Sequence, residues 1–133
     1  ILEGMRFSFK DGKVVEATAE KGQDVLDEFL KNAGADSLGE VSLVPDESPI
    51  SQSGIIFYNT LYDENASDHL ALGAAYPFNV QGGREMSNEE LLEHGVNVSK
   101  THVDFMVGSS EMNIDGIKED GTVVPVFRNG NWA

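Results

Sequence analysis

The alternation of apolar and polar positions lays out most of the chain's elements. Met5, Phe7 and Phe9 alternate with Arg6, Ser8 and Lys10, and a second short apolar run follows over residues 13–17. Asp11-Gly12 lies between them and tolerates the positive φ angles of a tight turn, so the pair reads as a β-hairpin. Over residues 23–33 the apolar positions Val25, Leu26, Phe29 and Leu30 recur at helical spacing, with Gly34 as the stop. Residues 39–44 read as a strand ended by Pro45, and residues 54–61 as a further apolar strand. Asn65 to Asp68 offer capping side chains for a short helix over 69–75, ahead of Pro77. On that helix His69 and Tyr76, seven positions apart, would share a face.

The rest follows the same logic. Residues 80–86, with Gly82-Gly83, read as a loop. Ser87-Asn88-Glu89-Glu90 is a capping box opening a short helix that Gly95 closes, and His94 caps its C-terminal end. Residues 101–107 form a strand. From Met112 onward the pairs Asp115-Gly116, Asp120-Gly121 and Asn129-Gly130 mark the turns of a terminal β-meander. The predicted fold class is mixed α+β, a strand-rich sheet with a few short helices.

Composition narrows the function classes. The chain has 133 residues, one domain's worth of polypeptide, with 23 acidic against 9 basic residues and a formal net charge of −14. Such a surface repels phosphate backbones, so no nucleic-acid partner is expected, and it attracts cations and positively charged amino termini. Its apolar runs are too short to span a bilayer, so no membrane association is expected. With no cysteine, disulfides and thiolate metal sites are excluded, and a cytoplasmic location is compatible with that. The chain opens ILEGMRFSF, without an initiator methionine and already in strand alternation, which predicts a start inside a longer protein.

Four polar residues stand where apolar ones are expected. On a strand over 101–107, His102, Asp104 and Met106 share one side, with imidazole and carboxylate roughly 7 Å apart at the backbone, close enough to serve one or two ions. A carboxylate on an otherwise apolar strand is costly unless paired or metal-bound. Glu40 repeats the pattern within LGEVSLVP, although an exposed edge strand would explain it equally. His69 precedes an apolar run. Two carboxylates and two imidazoles without sulfur suit zinc, cobalt or manganese. An EF-hand reading of Asp63 onward fails because its sixth position is Asp68 rather than glycine. There is no HExxH pair.

These residues also carry a resemblance. EGMRFSFKDGKVVEATAEKG, LGEVSLVP, NTLYDENASDHLALGAAYP, THVDFMVGS, MNIDGI and the terminal NGNW together resemble the C-terminal part of the thermophilic-type metallo-aminopeptidases, the aminopeptidase T, aminopeptidase S and PepS family, nearest its PepS branch. The resemblance spans essentially all of residues 1–133. It implies a fold distinct from the zincins and an enzyme releasing N-terminal amino acids from peptides with a free amino end, through water activated by two divalent ions. It implies Glu40, His69, His102 and Asp104 as metal ligands, with Tyr76 and Glu40 as catalytic residues and Asp63 or Glu64 as candidates for the substrate's amino end. The family's further glutamate lies farther upstream of Glu40 than this chain reaches, which makes the chain by itself an incomplete, inactive fragment. The full-length protein is expected to be a homodimer. Two other classes compete: a non-catalytic metal-binding or interaction module, and a non-haem iron oxygenase. The oxygenase would need a histidine after His102, and none follows.

Overall fold

The computed structural model describes residues 2–133. The chain divides into two units, one of Ile1–Glu40 with Ala71–Val103 and the other of Val41–Leu70 with Asp104–Ala133. Eight strands make three small sheets, accompanied by four short helices among the described residues. The mixed α+β class holds, spread over three sheets rather than one.

In the first unit, β1 (Arg6–Lys10) and β2 (Lys13–Thr18) form the expected antiparallel hairpin. Asp11 and Gly12 supply its turn with φ of 50° and 77°. The helix α1 (Gln23–Leu30) buries Leu26 completely, and Ala35, Ala71, Leu72, Leu91 and Val96 complete this unit's buried apolar set. It ends three residues before the predicted limit, where Lys31 caps it.

A second sheet has the order β3-β4-β5, from β3 (Leu38–Ser42), β4 (His69–Gly73) and β5 (His102–Met106). Here one expectation is corrected: residues 69–73 are a strand, not part of a helix. Four of the five β4 residues are buried, and a strand buried on both faces loses the alternation that would reveal it in sequence. Gly73 shows how tightly β4 is held. Its φ is 109°, and a Cβ there would overlap the carbonyl oxygen of Thr101, at the entry to β5. Asn97 reinforces the arrangement by donating from Nδ2 to the carbonyls of Gly34 (2.7 Å) and Gly73 (2.6 Å). The capping box is present, with Ser87 N donating to Glu90 Oε2 at 2.7 Å and Glu90 N to Ser87 Oγ at 3.3 Å. It opens α4 (Asn88–Glu93), where His94 closes the helix and its Nδ1 lies 2.8 Å from the Glu90 carbonyl.

In the second unit, the apolar run over 54–61 is not a strand. Residues 54–59 lie between α2 (Pro49–Ser53) and α3 (Thr60–Asp63), and Thr60 and Leu61 open α3. The reason is local: the Asp63 carboxylate accepts hydrogen bonds from Phe57 N (2.8 Å) and Asn59 N (3.0 Å), donors that a sheet would need. Asn59 Oδ1 then caps α3 through Leu61 N. A 3₁₀ turn over Glu64–Ala66 follows directly. The terminal meander is present as β6 (Ile114–Ile117), β7 (Val123–Arg128) and β8 (Asn131–Trp132). Asp115-Gly116 sits inside β6 instead of making a turn, next to a register shift at Ile114/Asp115. Phe127, fully buried with the Trp132 ring edge-on at 4.6 Å, anchors this sheet.

Candidate metal centre

β3 and β5 present two of the expected side chains to each other. Glu40 Oε2 lies 3.3 Å from His102 Nε2, and both side chains are about three-quarters buried. The opposite ring nitrogen, His102 Nδ1, is 2.8 Å from the carbonyl oxygen of Ala74. A carbonyl can only accept, so Nδ1 carries the proton, and in the neutral ring Nε2 presents its lone pair toward Glu40. Two lone-pair donors at that separation are reconciled by a cation or a second proton between them.

His69 repeats the device in the second unit. It is 1% exposed, and its Nδ1 is 2.9 Å from the carbonyl oxygen of Ser67. Its Nε2 is therefore also the lone-pair atom in the neutral ring. Glu64, His69 and Asp104 each offer a ligand atom, and these atoms all lie within 4.8 Å of one another. That is the spacing of groups converging on one ion. Two imidazoles held by backbone carbonyls at Nδ1, with carboxylates beside them, fit a divalent metal.

Sequence reasoning did not count Glu64 among the candidate ligands, having raised it only for the substrate's amino end. Glu64 belongs to a 3₁₀ turn and His69 begins a strand, so no single periodicity relates them. Asp63, the other candidate for the amino end, has both carboxylate oxygens engaged by backbone N–H groups of its own loop, which makes it a structural residue. Asp68 is a buried carboxylate with a structural role: its Oδ1 accepts from Val44 N at 2.6 Å.

Tyr76 follows β4 and is half exposed, with its ring centroid 6.2 Å from that of His102. The shared helical face expected for His69 and Tyr76 does not exist, because the segment is extended. Tyr76 instead owes its position to the backbone bonds from Ala74 N to Thr101 O (2.7 Å) and from Ala75 N to Asn97 O (2.9 Å).

Residues 1–132 match the family described as thermophilic metalloprotease (M29). This chain belongs to the M29 family. Aminopeptidase AmpS of Bacillus subtilis (strain 168) is 59% identical over 134 aligned residues, covering 100% of this chain and 33% of its own length. Aminopeptidase PepS of Streptococcus thermophilus is 58% identical, with 32% of its own length covered. The solved structure of wild-type AmpT from Thermus thermophilus superposes with a TM-score of 0.88 at 47% identity, over 98% of this chain and 32% of that one. The chain thus spans about a third of the length of these M29 relatives. Membership of a metalloprotease family displaces the iron-oxygenase alternative.

Proposed function

We propose that the full-length protein carrying this chain is an aminopeptidase, removing N-terminal residues from peptides with a free amino end. Glu40, Glu64, His69, His102 and Asp104 would hold two divalent ions, zinc, cobalt or manganese. The observation that carries this reading is the paired histidine geometry: each Nδ1 is committed to a backbone carbonyl and each ring has carboxylates near it. The metalloprotease family and the aminopeptidase names of the relatives agree with it. When bound, such ions polarise a peptide carbonyl and lower the pKa of water.

The chain's own residues divide the remaining work. Tyr76, half exposed and within reach of the His102 ring, is assigned to donate its phenolic O–H to the oxyanion that develops from the scissile carbonyl. Glu40 is assigned chiefly to ligation. The proton taken from water and returned to the leaving amine is assigned to the upstream glutamate that lies outside this chain. An acidic surface favours approach of the substrate's ammonium group. On this reading the full-length protein is a homodimer in the cytoplasm, and this chain alone is a non-catalytic metal-binding module.

The test is peptide hydrolysis by the full-length protein. Chelation should abolish it, added zinc or cobalt should restore it, and His69→Ala should be inactive. Full activity after chelation, or in His69→Ala, would remove the reading.

A further inference from the structure

A run of ring contacts leads from His102 to a guanidinium. Tyr76 stacks on Phe78 with centroids 4.9 Å apart, and Arg84 Cζ lies over the Phe78 ring at 5.5 Å. Both rings are half exposed, a platform of apolar faces beginning beside a candidate ligand. The arginine is held where it is by the backbone. Gly83 packs so closely on Pro77 that a Cβ would overlap the Pro77 carbonyl oxygen, and Gly83 N bonds to Val80 O at 2.9 Å. The turn over Gly83–Glu85 is thereby fastened to the one over Pro77–Asn79 that carries Phe78.

What sets this arginine apart is the ring it rests on, since Arg6, Lys10, Lys100 and Lys118 likewise form no ion pair among the described residues. Lys13, Lys21, Lys31 and Arg128 each pair with a carboxylate, namely Asp36, Glu3, Glu28 and Asp115. Arg84 instead rests on an aromatic face and forms no ion pair among the described residues, in a chain with 23 acidic residues. A guanidinium on a ring keeps its planar fork of donors available for bidentate capture of a carboxylate.

We propose that Arg84 binds a carboxylate of the substrate on the leaving-amine side of the scissile bond. This rests on the aminopeptidase reading above and adds a substrate preference to it. An extended peptide advances about 3.3–3.6 Å per residue. The three successive contacts therefore place the guanidinium no more than about five residues beyond the cleaved bond. The carboxylate is either the free C-terminus of a short peptide or an Asp or Glu side chain.

Kinetics of the full-length protein test the proposal with zinc or cobalt supplied. The substrates are peptides of two to five residues, each as free acid, as C-terminal amide, and as an amide carrying one glutamate. Arg84→Ala should raise KM by about 10- to 100-fold for whichever carboxylate-bearing form is recognised. It should leave kcat, and KM for the plain amides, unchanged, while Arg84→Lys should fall between. A preference tied to free acids identifies the C-terminus, and one tied to glutamate identifies the side chain; either supports the proposal. Equal changes for acids and plain amides, or no change at all, would overturn it while leaving the aminopeptidase reading intact. Failure of the unaltered protein to cleave any of these peptides would instead overturn that reading, and the Arg84 proposal with it.

Discussion

At the scale of single residues, the proposed centre depends on how the two histidines are oriented. His69 and His102 each place Nδ1 against a main-chain carbonyl, of Ser67 and Ala74 respectively. Outer hydrogen bonds of this kind fix the tautomer and aim the other nitrogen at an ion. If the proposed centre is right, replacing either histidine by alanine removes one of its ligands, and metal affinity should fall at least about 100-fold. Equilibrium dialysis of the full-length variants reads that loss. Tyr76→Phe makes a separate prediction, because it removes one donor to the oxyanion and no ligand. Its kcat should drop by about 10²–10³ with metal content unchanged. A lowered metal content with unaltered kcat per bound ion would contradict the assigned role. His102, Asp104 and Glu40 could be raised as candidates because a charged or basic side chain on an apolar strand demands a partner. Glu64 could not be raised as a ligand in this way, since a 3₁₀ turn brings it beside His69 and no strand or helix period links them.

Among the elements, local chemistry was readable and tertiary competition was not. The Asp-Gly hairpin and the Ser87/Glu90 capping box depend on neighbours in sequence, and both occur as the sequence indicates. The segments over 54–61 and 69–75 depend on what the chain does elsewhere. Asp63 draws the first into a loop, and burial between β3 and β5 draws the second into a strand. Two stability predictions belong here. Ser87→Ala should cost about 1 kcal/mol by removing the cap of α4, measurable by denaturant unfolding. Asn97→Ala should cost about 1–3 kcal/mol, because two carbonyls lose their shared donor.

The capping box also has a pH signature. The Ser87 backbone N–H, and then its hydroxyl, hold the Glu90 carboxyl below its ordinary value. A carboxylate with a lowered folded-state pKa stabilises the fold above its unfolded pKa. That contribution is lost as pH falls through the lower folded value. Hydrogen exchange of the α4 amides should therefore accelerate only below the ordinary carboxylate range, and Glu90→Gln should abolish that acid-side change. An identical acid profile in Glu90→Gln would count against the box as its cause.

For the whole molecule, the mixed α+β class was readable because hairpin, cap and meander signals punctuate much of the chain. The division into three small sheets was not, since strand pairing is a non-local choice. No helix among the described residues is long and apolar enough to cross a membrane. The chain covers about a third of its M29 relatives, so function is best tested on the full-length protein, with this chain as the comparison. Taken alone, residues 1–133 should cleave no peptide.

Zinc titration by calorimetry, run in parallel on the full-length protein and its His69→Ala and His102→Ala variants, tests the proposed centre most directly. Two tight equivalents per full-length chain are predicted, with tight binding at one or both positions lost in each variant. Variants that retain both equivalents at undiminished affinity would show that these histidines hold no metal.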